Sequence, residues 1–104
     1  MIDLIKNNLP QIKTICEKHY VKSLHLFGSA TKDNFDPISS DLDFVVEFNQ
    51  DIDPLYYADN FFSLMDSLKD LLHKEIDLLS YNALKNKIII SEIENSKVQM
   101  YYAA

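Results

Sequence analysis

The stretch LFGSATKDNFDPISSDLDFVVEF, residues 26–48, carries the features that decide the fold. It holds the only glycine of the 104-residue chain, Gly28, although roughly seven glycines are usual in a domain of this length. Gly28 and Ser29 follow one alternating apolar segment, and Asp41 and Asp43 begin another. A single glycine kept at this place indicates a turn that something must approach closely.

Outward from this stretch, strands alternate with helices along the chain. Alternating apolar residues predict strands over 21–27, 41–48 and 75–80, and a closing strand over 97–102, with a loop at 33–40. Helical spacing predicts a first helix within 2–20, where Pro10 either kinks the helix or lies in its first turn. A second helix carries the apolar stripe from Phe61 to Leu72, and a third covers 83–94, although its IIIS segment would also suit a strand. This order predicts an α/β (α+β) fold, a small mixed sheet flanked by helices.

The charge of the chain argues against several classes of partner. Sixteen acidic residues stand against ten basic ones, all lysines, for a net charge of −6. Because nucleic-acid binders present basic patches, we expect no direct nucleic-acid partner, although the later lysines could form a local strip. No apolar run approaches the ~20 residues that span a bilayer, so no membrane association is expected.

The size and cysteine content suggest a simple organisation. Residues 1–104 are expected to form one domain, small enough that a homo- or hetero-oligomer would be unsurprising. The start of the chain does not resemble a signal peptide, and the lone Cys16 excludes an internal disulfide, so a cytoplasmic location is expected. Cys16 lies on an apolar helix stripe and is interpreted as a core residue rather than a nucleophile.

Paired carboxylates are the first chemical signal. Asp41 and Asp43 lie two apart on a strand, so their side chains share one face with Cα atoms about 6–7 Å apart. Two unpaired carboxylates are costly to bury together, so this face must meet water or a cation. Asp77 lies between Ile76 and Leu78 in another strand; if the two strands are neighbours, the three carboxylates converge on one or two hard ions such as Mg²⁺.

The glycine turn supplies the second signal. Gly28 lets a phosphate come close to the backbone, and the amides of the turn and the Ser29 hydroxyl can donate to its oxygens. Lys32 and Ser40 are further candidate nucleotide contacts; plain solvent exposure is an equal alternative for Lys32, and a loop position is the simpler interpretation of Ser40. Phosphate donors followed by metal-binding carboxylates suit metal-assisted transfer at a nucleoside triphosphate.

LFGSATKD…SDLDFVV resembles the signature of the minimal nucleotidyltransferases (MNT proteins) of the DNA polymerase β-like superfamily, a Gly-Ser followed after about ten residues by Asp-x-Asp. Here eleven residues separate Ser29 from Asp41, and EIDLL supplies the third aspartate. The resemblance extends over nearly the whole chain. Neither motif alone is specific, but their combination at this spacing is.

The resemblance implies roles for these residues. Gly28 and Ser29 would hold the triphosphate of ATP, Asp41 and Asp43 would bind Mg²⁺, and Asp77 would be a metal ligand or the catalytic base. Many small family members are antitoxins of HEPN-domain toxins, and some transfer AMP to a toxin tyrosine. Two alternatives stay open: an antitoxin that neutralises its toxin by binding alone, and a nucleotidyltransferase for a small molecule such as an aminoglycoside.

The sequence departs from the family pattern directly after the glycine turn. Where the family reads GS-x-A-R-G, this chain reads GSATKD, with Lys32 at the arginine position and Asp33 at the glycine position. Lysine keeps the charge but loses the two-pronged geometry of arginine, and Asp33 brings a negative charge near a phosphate site. Both changes bear on nucleotide affinity more than on metal binding.

Overall fold

A computed structural model describes residues 3–32, 36, 41–50 and 52–103. The helices are α1 (Asp3–Lys6), α2 (Leu9–Lys18), α3 (Tyr57–Leu72) and α4 (Lys87–Ser96), and the strands are β1 (Val21–Phe27), β2 (Leu42–Phe48), β3 (Ile76–Ser80) and β4 (Val98–Tyr102). Short 3₁₀ turns span Gly28–Thr31, Pro54–Tyr56 and Tyr81–Ala83. The predicted order of helices and strands is confirmed, whereas the predicted loop at 33–40 lies, apart from Asp36, outside the described residues.

The four strands form one mixed sheet in the order β3-β2-β1-β4. β1 runs antiparallel to both β2 and β4, while β2 and β3 are parallel and joined by a crossover through α3. The start of β2, the start of β3 and the end of β1 therefore meet at the same edge. This edge carries the glycine turn and the aspartates.

The main core lies between the sheet and helices α1, α2 and α3. Helical spacing brings one apolar stripe of each helix onto the sheet, and the strands contribute alternate residues. The fully buried side chains of this core include Ile5, Ile12, Leu24, Leu26, Leu42, Phe44, Leu64 and Leu68. Cys16 belongs to it, and burial, reinforced by the charge of Glu17, raises the pKa of its thiol to about 12. The interpretation of Cys16 as a core residue is thus confirmed.

The opposite face of the sheet is also covered, by α4. Ile93 packs there against Phe27 and Val45 and is fully buried. This explains why Val45 is buried although it shares a face with Asp43 and Glu47. This face of β2 therefore combines a packed centre at Val45 with polar residues on either side, Asp43 and Glu47.

Element boundaries differ from prediction where side chains cap a helix. The final helix starts at Lys87 rather than Ala83, because the Asn86 side chain accepts hydrogen bonds from the amides of Ile88 and Ile89. At the first helix, Pro10 lies in the first turn of α2, so the second of the two options is confirmed. No helix in the described ranges is long and apolar enough to cross a bilayer.

Candidate active site

Two of the predicted acidic residues face each other across neighbouring strands. Asp43 of β2 is the direct register partner of Asp77 of β3, so the condition for their convergence is met. Asp41 lies one residue before β2, and its side chain, like that of Asp77, is exposed. The sheet therefore gathers the three carboxylates at one edge.

Asp43 has a raised pKa. Burial is the largest cause that raises its pKa, from 3.8 to about 6, and the nearby charges of Asp77, Asp41 and Glu92 raise it further. Glu92 comes from α4 and was not foreseen from the sequence. A half-buried carboxylate surrounded by three others is unfavourable when ionised, and a bound cation would relieve that repulsion.

The glycine turn lies directly against Asp43. Phe27, the last residue of β1, pairs with Asp43, and Gly28 follows with φ +75°, a conformation that side-chain-bearing residues rarely adopt. A Cβ added to Gly28 would lie 2.8 Å from Oδ2 of Asp43. The structure thus gives two reasons for the single glycine: its backbone conformation and the space that the Asp43 carboxylate occupies.

Both backbone polar groups of Gly28 are held by hydroxyl groups. Its amide donates to Ser96 Oγ at 3.1 Å, and its carbonyl accepts from Thr31 Oγ1 at 2.7 Å. The Gly28 amide, one of the turn amides expected to be able to donate to a phosphate, is therefore engaged with α4. Ser96 lies 68 residues from Gly28, so nothing in the sequence could have shown this contact.

The remaining predicted phosphate contacts fall into two groups. The hydroxyl of Ser29 makes no hydrogen bond to any residue within the described ranges, so it is available to a ligand. Lys32 is exposed at the end of the turn, and its amide donates to the Ser29 carbonyl at 3.1 Å. Ser40 and the divergent Asp33 lie outside the described residues.

The donor set suits a hard divalent ion, although no cage is preformed. Within the described ranges, no three His, Cys, Asp or Glu side chains are grouped closely enough to hold a metal ion. Carboxylate oxygens are nevertheless the ligands that Mg²⁺ prefers, and it commonly takes only one or two of them, completing its shell with water and substrate phosphates. Asp43 and Asp77 fit that mode of binding.

A separate cavity of about 230 Å³ lies between β1, β2 and the segments that carry Tyr81, Ile93 and Lys97. His25, Glu47, Tyr81 and Lys97 line it together with the buried Ser23. Burial, reinforced by the charge of Lys97, lowers the pKa of His25. None of the predicted site residues lines this cavity.

The histidines and tyrosines have mainly structural surroundings. The ring nitrogens of His19 form hydrogen bonds with the Ile15 carbonyl and with Ser63 Oγ and so connect α2 to α3. Tyr57 packs edge-on against Phe48 at 5.3 Å between ring centroids, whereas Tyr56 and Tyr102 are exposed.

Comparison with known proteins identifies the class to which this fold and site belong. Residues 10–103 match the family model described as polymerase beta, nucleotidyltransferase. The chain is also 40% identical over 98 residues to a candidate protein adenylyltransferase of Methanocaldococcus jannaschii, MJ0128, covering 93% of this chain and 95% of that protein. The chain belongs to the polymerase beta nucleotidyltransferase family, and it is a nucleotidyltransferase.

Solved structures of low sequence identity share its fold. One is a toxin–antitoxin complex with AMP-PNP, with a TM-score of 0.70 at 17% identity, covering 92% of this chain and 74% of that one. Another is a tri-AMPylated HEPN toxin of Shewanella oneidensis in complex with its MNT antitoxin, with a TM-score of 0.65 at 16% identity over 95% and 73% of the two chains. The family match confirms the resemblance to nucleotidyltransferases noted in the sequence, and these structures show that the fold is shared.

Proposed function

We propose that this chain is a Mg²⁺-dependent protein adenylyltransferase that moves AMP from ATP to a tyrosine hydroxyl of a partner HEPN toxin and thereby acts as its antitoxin. The observation that carries the proposal is the pairing of Asp43 with Asp77 against the Gly28 turn. The relative named as a candidate protein adenylyltransferase and the AMPylated toxin in a structurally similar complex support it.

The residues take defined parts in this proposal. Two of the carboxylates of Asp41, Asp43 and Asp77 would hold Mg²⁺, with water and substrate phosphates completing its shell, and the bound ion would neutralise charge on the phosphates and on the attacking and leaving oxygens. The Ser29 hydroxyl donates to a phosphate oxygen, and Lys32 offers a positive charge at the end of the turn. The acceptor oxygen bonds to the α-phosphorus, the bond from that phosphorus to the bridging oxygen breaks, and pyrophosphate leaves. An exposed carboxylate such as Asp77 receives the hydroxyl proton.

A second candidate function, neutralisation by binding alone, is favoured by the departure from the family pattern at Lys32 and Asp33. Lys32 has no bidentate geometry to offer a phosphate, and it is exposed. A weakened nucleotide site would leave an antitoxin that acts only by covering its toxin.

One experiment separates the two functions. The chain is mixed with a HEPN partner, Mg²⁺ and ATP labelled at the α-phosphate, and label on the partner is measured together with neutralisation of the toxin. For adenylyl transfer we expect label with the wild type and with the control Asp70→Asn on α3, and none with Asp43→Asn or Asp77→Asn. Full neutralisation without label, by all four proteins, would overturn adenylyl transfer and leave binding alone.

A further inference from the structure

Helix α4 is attached to the glycine turn by a chain of two hydrogen bonds. Ser96 Oγ donates to the Glu92 carbonyl at 2.8 Å and accepts from the Gly28 amide at 3.1 Å. The first bond orients the hydroxyl so that a lone pair of the oxygen faces Gly28. The last turn of the helix thereby reaches the first residue of the turn.

The same side of α4 also reaches the acidic edge. Glu92 and Ser96 are four residues apart and so share one stripe of the helix. Glu92 is close enough to Asp43 for its charge to act on that carboxylate, while Ser96 holds the residue whose missing Cβ leaves room for Asp43. Ile93, between them, anchors the helix in the apolar cluster with Phe27 and Val45.

We propose that Ser96 is a positioning residue of the nucleotide site: it holds the Gly28 amide and thereby fixes the turn that presents Ser29 to the triphosphate. The physical reason is the left-handed conformation of Gly28, with φ +75°. A free glycine samples many conformations at little cost, so an unheld turn would lose more entropy when nucleotide binds. Thr31 secures the Gly28 carbonyl from within the turn, whereas Ser96 connects the Gly28 amide to helix α4.

The first test does not depend on nucleotide. Hydrogen exchange of the Gly28 amide is followed by NMR in the wild type, in Ser96→Ala, in Ser96→Thr and in Ser91→Ala. Ser91 lies on the same helix and its hydroxyl meets only the Asn95 side chain, at 3.5 Å, among the described contacts, which makes it a matched control. We expect Ser96→Ala to exchange at least tenfold faster at Gly28, with the threonine variant and the Ser91 variant close to the wild type. Equal exchange in all four proteins would overturn the proposal.

The second test measures ATP affinity in the presence of Mg²⁺ by calorimetry, and it rests on the proposed function. Loss of one hydrogen bond is expected to raise Kd for ATP about three- to tenfold in Ser96→Ala, with restoration in Ser96→Thr. In steady-state transfer by Ser96→Ala, the KM for ATP should rise while kcat stays near the wild-type value, since Ser96 touches no reacting atom. Unchanged affinity in a folded Ser96→Ala protein contradicts the positioning role.

The two tests also separate the possible failures. If the wild type binds no ATP while Gly28 exchange still depends on Ser96, the proposed function is wrong for this chain and the hydrogen bond serves the fold alone, which also ends the positioning role. If ATP binds equally well to the wild type and to Ser96→Ala, the function stands and the role of Ser96 is wrong.

Discussion

Asp43 and Asp77 are register partners on two parallel strands, and the ionised form of Asp43 is disfavoured first by its burial and then by the charge of Asp77. Neighbouring strands lie about 4.8 Å apart, so the two carboxylates cannot avoid each other without turning away. Asp43 also has the glycine turn against it, which limits where its side chain can go. The fold thus maintains an unfavourable charge at the place where a cation and a triphosphate would meet.

This charge predicts that Asp43→Asn stabilises the protein while it abolishes nucleotidyl transfer. The folded-state pKa of Asp43, about 6, is above its ordinary 3.8, so the folded protein binds this proton more tightly than the unfolded chain does. This tighter proton binding stabilises the folded protein fully below about pH 4, and the stabilisation is lost as the pH rises through about 6. At pH 7 the free energy of unfolding of the asparagine variant should exceed that of the wild type by about 1 kcal/mol, which corresponds to several degrees in Tm. The gain is no larger because solvent partly screens a half-buried group.

The measurement is Tm against pH, without metal, for the wild type, Asp43→Asn and the exposed control Asp70→Asn. We expect the extra stability of Asp43→Asn to disappear by pH 4. The stability of the control should stay within ~0.5 kcal/mol of the wild type at every pH. A gain that does not depend on pH would show that the charge of Asp43 is not its cause.

Gly28→Ala is predicted to reduce the transfer activity strongly and the stability of the fold only slightly. The positive φ of Gly28 strains any residue with a Cβ by about 1 kcal/mol, and the new methyl group would meet Asp43 Oδ2 at 2.8 Å. Because that oxygen is the end of a side chain, the clash is relieved when the carboxylate moves. The displaced carboxylate can no longer serve the reaction, so we expect transfer to fall at least a hundredfold.

A double-mutant comparison tests this mechanism. Gly28→Ala is introduced into the wild type and into Asp43→Ala, and the free energy of unfolding is measured for both pairs. If the carboxylate moves freely, the cost is about 1 kcal/mol in both backgrounds, since backbone strain alone remains. A much larger cost in the wild type, together with unimpaired transfer, would contradict the account.

Local patterns were enough to predict most of this fold. The alternation in 41–48 and 21–27 identified two central strands, and the spacing of Ser29, Asp41 and Asp43 identified the candidate site. These features depend on residues close in sequence, where side-chain periodicity follows directly from strand geometry. The helix start at Lys87 was missed because the capping role of Asn86 gives a weaker signal than the apolar residues around it.

Contacts between distant segments could not be predicted in the same way. The pairing of Asp43 with Asp77 depends on the register of two strands separated by a helix, and was expected only if those strands were neighbours. The roles of Ser96 and Glu92 depend on how α4 crosses the sheet, which its own sequence does not specify. Val45 shares a strand face with Asp43 and Glu47, and only the packing of Ile93 shows why it is buried.

His73 offers a test of backbone strain away from the site. This exposed residue ends α3 in the left-handed conformation, with φ 53°, and its amide donates to the Lys69 carbonyl at 2.8 Å. Since glycine adopts this conformation freely, His73→Gly should stabilise the fold by about 0.5–1 kcal/mol, and His73→Val should destabilise it. Chemical denaturation checks both variants, and a less stable glycine variant would contradict the strain argument.

Ile93 and Ile88 give the sharpest test of how α4 supports the site. Ile93 is fully buried over Phe27 and Val45, whereas Ile88, on the same helix, is 80% exposed. We expect Ile93→Ala to cost about 2–4 kcal/mol and Ile88→Ala less than ~0.5 kcal/mol, as measured by urea unfolding. Ser96 lies one helical turn after Ile93, so nucleotide affinity should weaken in folded Ile93→Ala but not in Ile88→Ala. Equal affinities in the two folded variants would show that the packing of α4 stabilises the sheet without affecting the glycine turn.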